Sequence, residues 1–152
     1  VPPDIAPKIE NLVPHAGRMV LLADILACTE ESIACRAAID PKDHHPLAVD
    51  GVVPAPALVE YAGQAMAVHG GLRAEPGAPP RPGRLVALRQ LDLAIDAIAT
   101  PLEVTVRAQC LGGDECGQIY RFQIHHDERE LASGQATIMF ADGAQPDRPQ
   151  RG

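Results

Sequence analysis

The sequence predicts an α+β domain in which an antiparallel sheet wraps around one long central helix. The first observation is the stretch from Ala57 to Leu72, rich in helix formers and apolar around most of its circumference. The second is the alternation of apolar and polar residues in segments such as LEVTVRAQC and IYRFQIHH, the pattern of strands with one wet face. The third is composition. The chain has 152 residues, 46% of them hydrophobic but only 3% aromatic, with no Trp. That suffices for one domain with one core, built from Ala, Val, Leu and Ile, which suit close packing of sheet on helix.

The elements follow in order. Asp4 to Leu12 carries Ile5, Ile9 and Leu12 at helical spacing, and Pro14 ends that helix. Val20 to Thr29 and Ser32 to Ile39 are apolar runs joined by Glu30 and Glu31, the pattern of a hairpin. Asp40 to Pro54 is a loop holding Asp43, His44, His45 and Asp50. Pro56 suits the first helical position, where a missing N–H costs nothing, and Gly70-Gly71 suits the exit. The helix between them is on the order of 25 Å long. Glu75 to Arg84 (EPGAPPRPGR) is a surface loop. Four strands complete the domain: Leu85 to Ile95, Leu102 to Leu111, Gln118 to His126 and Glu130 to Phe140. Turn signals separate them at Asp96 to Pro101, Gly112 to Asp114 and His126-Asp127. Residues 142–152 have almost nothing to bury and are expected to be a disordered tail on a single domain spanning 1–141. No internal repeat is present.

Two strands, a buried helix and four more strands describe the hotdog fold, with the helix as the filling. One helix cannot cover a broad sheet, so further burial by dimerisation is expected.

Charge narrows the function classes. The net charge of -7 argues against a nucleic-acid binder, which needs a basic surface to displace counterions. No apolar run reaches the roughly 18–20 residues needed to span a bilayer, and the first residues show no signal-peptide pattern. Cys28, Cys35, Cys110 and Cys116 show no CxxC spacing and read as small hydrophobes or free thiols, which points to the cytoplasm.

The chemistry gathers at the start of the central helix. Glu60 is an acid inside an apolar helix, where desolvation favours the neutral form that can protonate a leaving group; the alternative places it in solvent at the helix mouth. Gln64 lies one turn later and can support it. The loop pair His44 and His45 offers an imidazole able to take a proton near neutral pH, or simply two surface rings. The remaining histidines are scattered and no HExxH or CxxC occurs, so no metal or other cofactor is expected. Backbone N–H groups at a helix start favour negative charge, and Ala55, between Pro54 and Pro56, still has its N–H to offer a developing oxyanion. Base, acid and oxyanion donor together suit removal of a proton next to a thioester carbonyl with loss of a β-hydroxyl. His45 takes the α-proton, Glu60 protonates the departing hydroxyl and the Ala55 amide holds the oxygen.

These residues resemble the β-hydroxyacyl-acyl-carrier-protein dehydratases of the hotdog superfamily. In VVPAPALVEYAGQ, Pro54 matches the family's proline, Ala55 its glycine, Glu60 its acid and Gln64 its glutamine. NLVPHAGRMVLLADIL looks like the family's opening segment, which implies a structural or tunnel-lining role for His15. VEYAGQAMAVHGGL, GRLVALRQLDL and SGQATIMF resemble an atypical branch found in clusters making aryl polyenes, and the likeness covers roughly residues 10–140. It implies dehydration of 3-hydroxyacyl thioesters on an acyl carrier protein to trans-2-enoyl thioesters, and a site shared between the subunits of a dimer, either a homodimer or a heterodimer with a related hotdog subunit. It also implies a basic rim near the tunnel mouth, for which Arg73, Arg81 and Arg84 are candidates. The loop departs from the family's Gly-His-Phe-Pro-Gly: here it reads HHPLAVDG. Strict register puts Pro46 at the histidine; one extra loop residue selects His45 and two select His44. The alternatives are a hotdog thioesterase and a non-catalytic acyl-binding partner subunit.

Overall fold

The computed structural model describes residues 20–74 and 83–140. The expected Asp4–Leu12 helix, His15, most of the proline-rich loop with Arg81, the expected tail and the expected domain boundary at 141 lie outside the described residues. The elements are β1 (Asp24–Cys28), β2 (Ser32–Ile39), β3 (Val53–Pro54), a 3-10 turn (Ala55–Ala57), α1 (Leu58–Arg73), β4 (Gly83–Leu93), β5 (Ala97–Ile98), β6 (Leu102–Gly113), β7 (Gly117–His126) and β8 (Arg129–Phe140). Six strands form one sheet in the order β1-β2-β6-β7-β8-β4, antiparallel throughout. Helix α1 packs on β2, β6 and β7. This is the expected hotdog fold.

Strand alternation sets the core. Ile33, Cys35, Ala37 and Ile39 of β2, Val104, Val106 and Ala108 of β6, and Tyr120, Phe122 and Ile124 of β7 turn inward and are buried. The residues between them on β6 and β7, Arg107, Gln109, Arg121 and Gln123, face solvent. Phe122 pairs with Gly134 across β7 and β8. A Cβ at Gly134 would stand 2.8 Å from the Phe122 ring, so the missing side chain makes room for one of the core's few aromatics. From α1 the core takes Leu58, Tyr61, Ala62, Ala65, Met66 and Val68.

Three local expectations are corrected. The first strand starts at Asp24 rather than Val20, because Leu21 gives its amide to the Gln64 side chain instead of a neighbouring strand. The helix runs through Gly70 and Gly71 to Arg73; Leu72 packs against the core, and Ala74 closes the last turn onto the Gly70 carbonyl. The segment after β4, expected as a turn, contributes β5, which pairs with β3 just before the helix.

Among the described residues, β4 lies at an edge of the sheet and pairs only with β8. Leu85, Val86, Leu88 and Leu91, with Met139 of β8, are exposed on it.

Candidate active site

The loop between β2 and β3 is shaped by tight turns. Asp50 and Gly51 both have positive φ, 51° and 78°, inside a turn closed by two Val49–Val52 hydrogen bonds. His44 also sits at φ 51°, a left-handed conformation that is uncommon outside Gly and that Asn, Asp and His adopt more readily than other residues. The turn at His44 swings His45 back toward the helix. There its Nε2 lies 2.6 Å from the Tyr61 hydroxyl, and its Nδ1 accepts the Leu47 amide at 3.1 Å. Burial lowers the His45 pKa from the usual imidazole value, so the ring is neutral at pH 7. Tyr61, 1% exposed, is pushed well above the usual phenol value by the same cause and keeps its proton. His44, His45 and Tyr61, with Val20, Leu21, Ala38, Asp40, Asp43 and Pro46, line a cleft of about 180 Å³.

The other candidates are placed as follows. Glu60 occupies the first turn of α1, beside Tyr61, and is partly buried rather than enclosed. A carboxylate there faces the positive end of the helix dipole. Gln64 is fully buried, and its Oε1 accepts the Leu21 amide at 2.9 Å, tying the chain before β1 to the helix. Ala55 is buried, and its N–H, expected to hold an oxyanion, donates to the Asp96 carbonyl at 2.9 Å. That bond extends the β3–β5 ladder, so in this conformation the amide is committed. Among the described residues, Glu60 makes no hydrogen bond to either loop histidine.

Sequence reasoning missed Tyr61. A signal was present: the chain has only 2 tyrosines, and a polar-tipped aromatic on an otherwise Ala-rich helix invites a partner. The second tyrosine has one too. Tyr120 lies 2.8 Å from His69 Nδ1, while His69 Nε2 lies 2.9 Å from the Thr29 carbonyl. His69 is fully buried near the other end of α1, and desolvation lowers its pKa.

Among the described residues no group of three or more His, Cys, Asp or Glu gathers as a metal would require, and no helix is long and apolar enough to cross a membrane. All four cysteines are free thiols: Cys35 is buried, Cys110 partly buried, and Cys28 and Cys116 exposed, so only part of the set serves the core.

The fold and family are also visible by comparison. One chain of the dehydratase heterocomplex ApeI:P from Xenorhabdus doucetiae superposes with a TM-score of 0.82 at 20% identity, covering 91% of this chain and 93% of that one. A thioesterase from Haemophilus influenzae matches with a TM-score of 0.59 at 17% identity, covering 82% and 81%. A thioesterase variant from Pseudomonas aeruginosa gives 0.57 at 14% identity, covering 77% and 79%. At these identities the likeness shows the fold alone. No curated protein matches in sequence. The family model described as ApeP-like, ApeP dehydratase, matches residues 7–148, nearly the whole chain. The chain therefore belongs to the ApeP-like dehydratase family.

Proposed function

We propose that the protein dehydrates 3-hydroxyacyl thioesters, carried on the phosphopantetheine arm of an acyl carrier protein, to trans-2-enoyl thioesters. A loop imidazole removes the α-proton. The electron pair forms the double bond as the β C–O bond breaks, and the Glu60 carboxyl protonates the leaving hydroxyl as water. The observation that carries this reading is the cleft at the start of α1, where the loop histidines meet Tyr61, the residue after Glu60. Family membership supports the reaction type; the carrier-bound substrate is inferred from the chemistry.

The partner surface belongs to the same proposal. An edge strand that pairs on one side only among the described residues, with exposed Leu85, Val86, Leu88 and Leu91, suits a second hotdog subunit, whether a copy of this chain or a related one. The Xenorhabdus doucetiae relative is a heterocomplex, which favours the related subunit. Arg73 and Arg84 are exposed and offer cations to an acidic carrier protein.

Incubation with a 3-hydroxyacyl carrier-protein thioester, followed by mass spectrometry, tests the proposal. Loss of one water is expected, and Glu60→Gln should lower the rate by about 10²–10⁴-fold while the protein stays folded. Release of free acid would instead identify a thioesterase. No change with the second subunit present would leave an acyl-binding role. Glu60→Gln at the wild-type rate would remove Glu60 from the reaction.

A further inference from the structure

The hydrogen bonds around His45 fix its proton. An amide N–H can only donate, so the Leu47 amide at Nδ1 requires a lone pair on that nitrogen. A neutral imidazole carries one proton, which must then sit on Nε2. The short contact to Tyr61 is therefore His45 Nε2–H donating to the phenol oxygen. Neither ring nitrogen has a lone pair open to a substrate. The phenol, used as an acceptor, retains its own O–H, and among the described residues that proton has no acceptor. It borders the cleft lined by His44 and His45. The Ala55 amide, the other expected donor, is occupied by Asp96. His44 lines the same cleft, and its ring makes no hydrogen bond among the described residues.

We propose that the Tyr61 hydroxyl holds the thioester oxygen, that His45 is the positioning residue that aims it, and that His44 is the base. This assignment rests on the dehydratase reading. As His44 takes the α-proton, electron density builds on the thioester oxygen, where the Tyr61 O–H stabilises it. The density returns as the β C–O bond breaks, and the Glu60 proton completes the water. Return of the proton from the His44 imidazolium to the Glu60 carboxylate resets the site. A phenol polarised by an imidazole N–H is a stronger donor than a phenol alone, because paired hydrogen bonds polarise each other.

Four variants and one spectrum test the assignment. Tyr61→Phe should lower kcat by about 10²–10³-fold with KM little changed. His45→Gln keeps an N–H where Nε2 stood, so it should retain kcat within about tenfold of wild type, while His45→Ala falls with Tyr61→Phe. His44→Gln, which cannot accept the proton, should lose at least as much as Tyr61→Phe. Long-range ¹⁵N–¹H spectra of the wild-type protein should show His45 protonated at Nε2. The assignment is overturned if Tyr61→Phe turns over at the wild-type rate, if His45→Gln is as inactive as His45→Ala, or if the spectrum places the proton on Nδ1. Absence of dehydration by the wild type with its partner subunit would sink the broader reading instead, and the spectrum would still decide the tautomer.

Discussion

Two histidine–tyrosine pairs bracket the central helix, and they run in opposite directions. At the start of α1, a backbone N–H meets His45 Nδ1, so the ring donates to Tyr61 and the tyrosine keeps its proton. Near the end, a backbone C=O meets His69 Nε2, so that nitrogen must carry the proton and Tyr120 must donate its own to Nδ1. The residue types are identical; the backbone group at the other ring nitrogen sets the polarity. The first arrangement leaves a donor facing a cleft. The second consumes the donor hydrogens of both rings and both imidazole nitrogens, which makes it a buried structural tie between the helix, the β1–β2 turn and β7. Its rings meet edge to face, with centroids 5.6 Å apart and planes at 84°.

Deleting the same oxygen at the two ends gives the sharpest contrast. Tyr61→Phe is expected to cost activity, with the kcat loss given above. Tyr120→Phe should leave kcat near wild type and reduce stability by about 1–3 kcal/mol, since His69 Nδ1 is left buried without a donor. Chemical denaturation alongside steady-state rates separates the two. If both variants lose activity alone, or both lose stability alone, the contrast fails.

Acid comes next in size. Burial holds the pKa of both His45 and His69 below the usual value of 6.5. The unfolded chain then binds protons as pH falls through about 6.5, while the folded chain resists until lower pH. Stability is therefore full above that value and declines as pH falls below it. Melting curves between pH 8 and 5 should show that decline, and His69→Gln, which keeps a donor for Thr29, should flatten it. A melting temperature independent of pH over this range would mean that neither ring is held neutral.

The smallest effect concerns Gly70, next to His69. A Cβ there meets nothing within 4 Å, and the residue is helical. Gly70→Ala should stabilise the fold by about 0.5–1 kcal/mol. Loss of stability instead would show that this end of the helix is covered by a partner subunit.

The architecture could be read from the sequence because burial imposes periods. Alternation in LEVTVRAQ and IYRFQI marked β6 and β7, and a helix apolar on nearly every side had to be the filling. Glu60 and Gln64 were visible for the same reason, as polar exceptions in that helix. Gln64 nevertheless tethers Leu21. The β3–β5 pair escaped notice because two-residue strands carry no period, and this pair alone decides the fate of the Ala55 amide.

What the sequence determined by itself is the layering and the polar exceptions near the helix start, Glu60, Gln64 and the two loop histidines but not Tyr61, since both follow from local composition and spacing. Tertiary structure alone decided which of those groups remain available. Hydrogen bonding is directional and saturable, so a histidine becomes donor or acceptor only once the fold brings a particular amide or carbonyl to its second nitrogen.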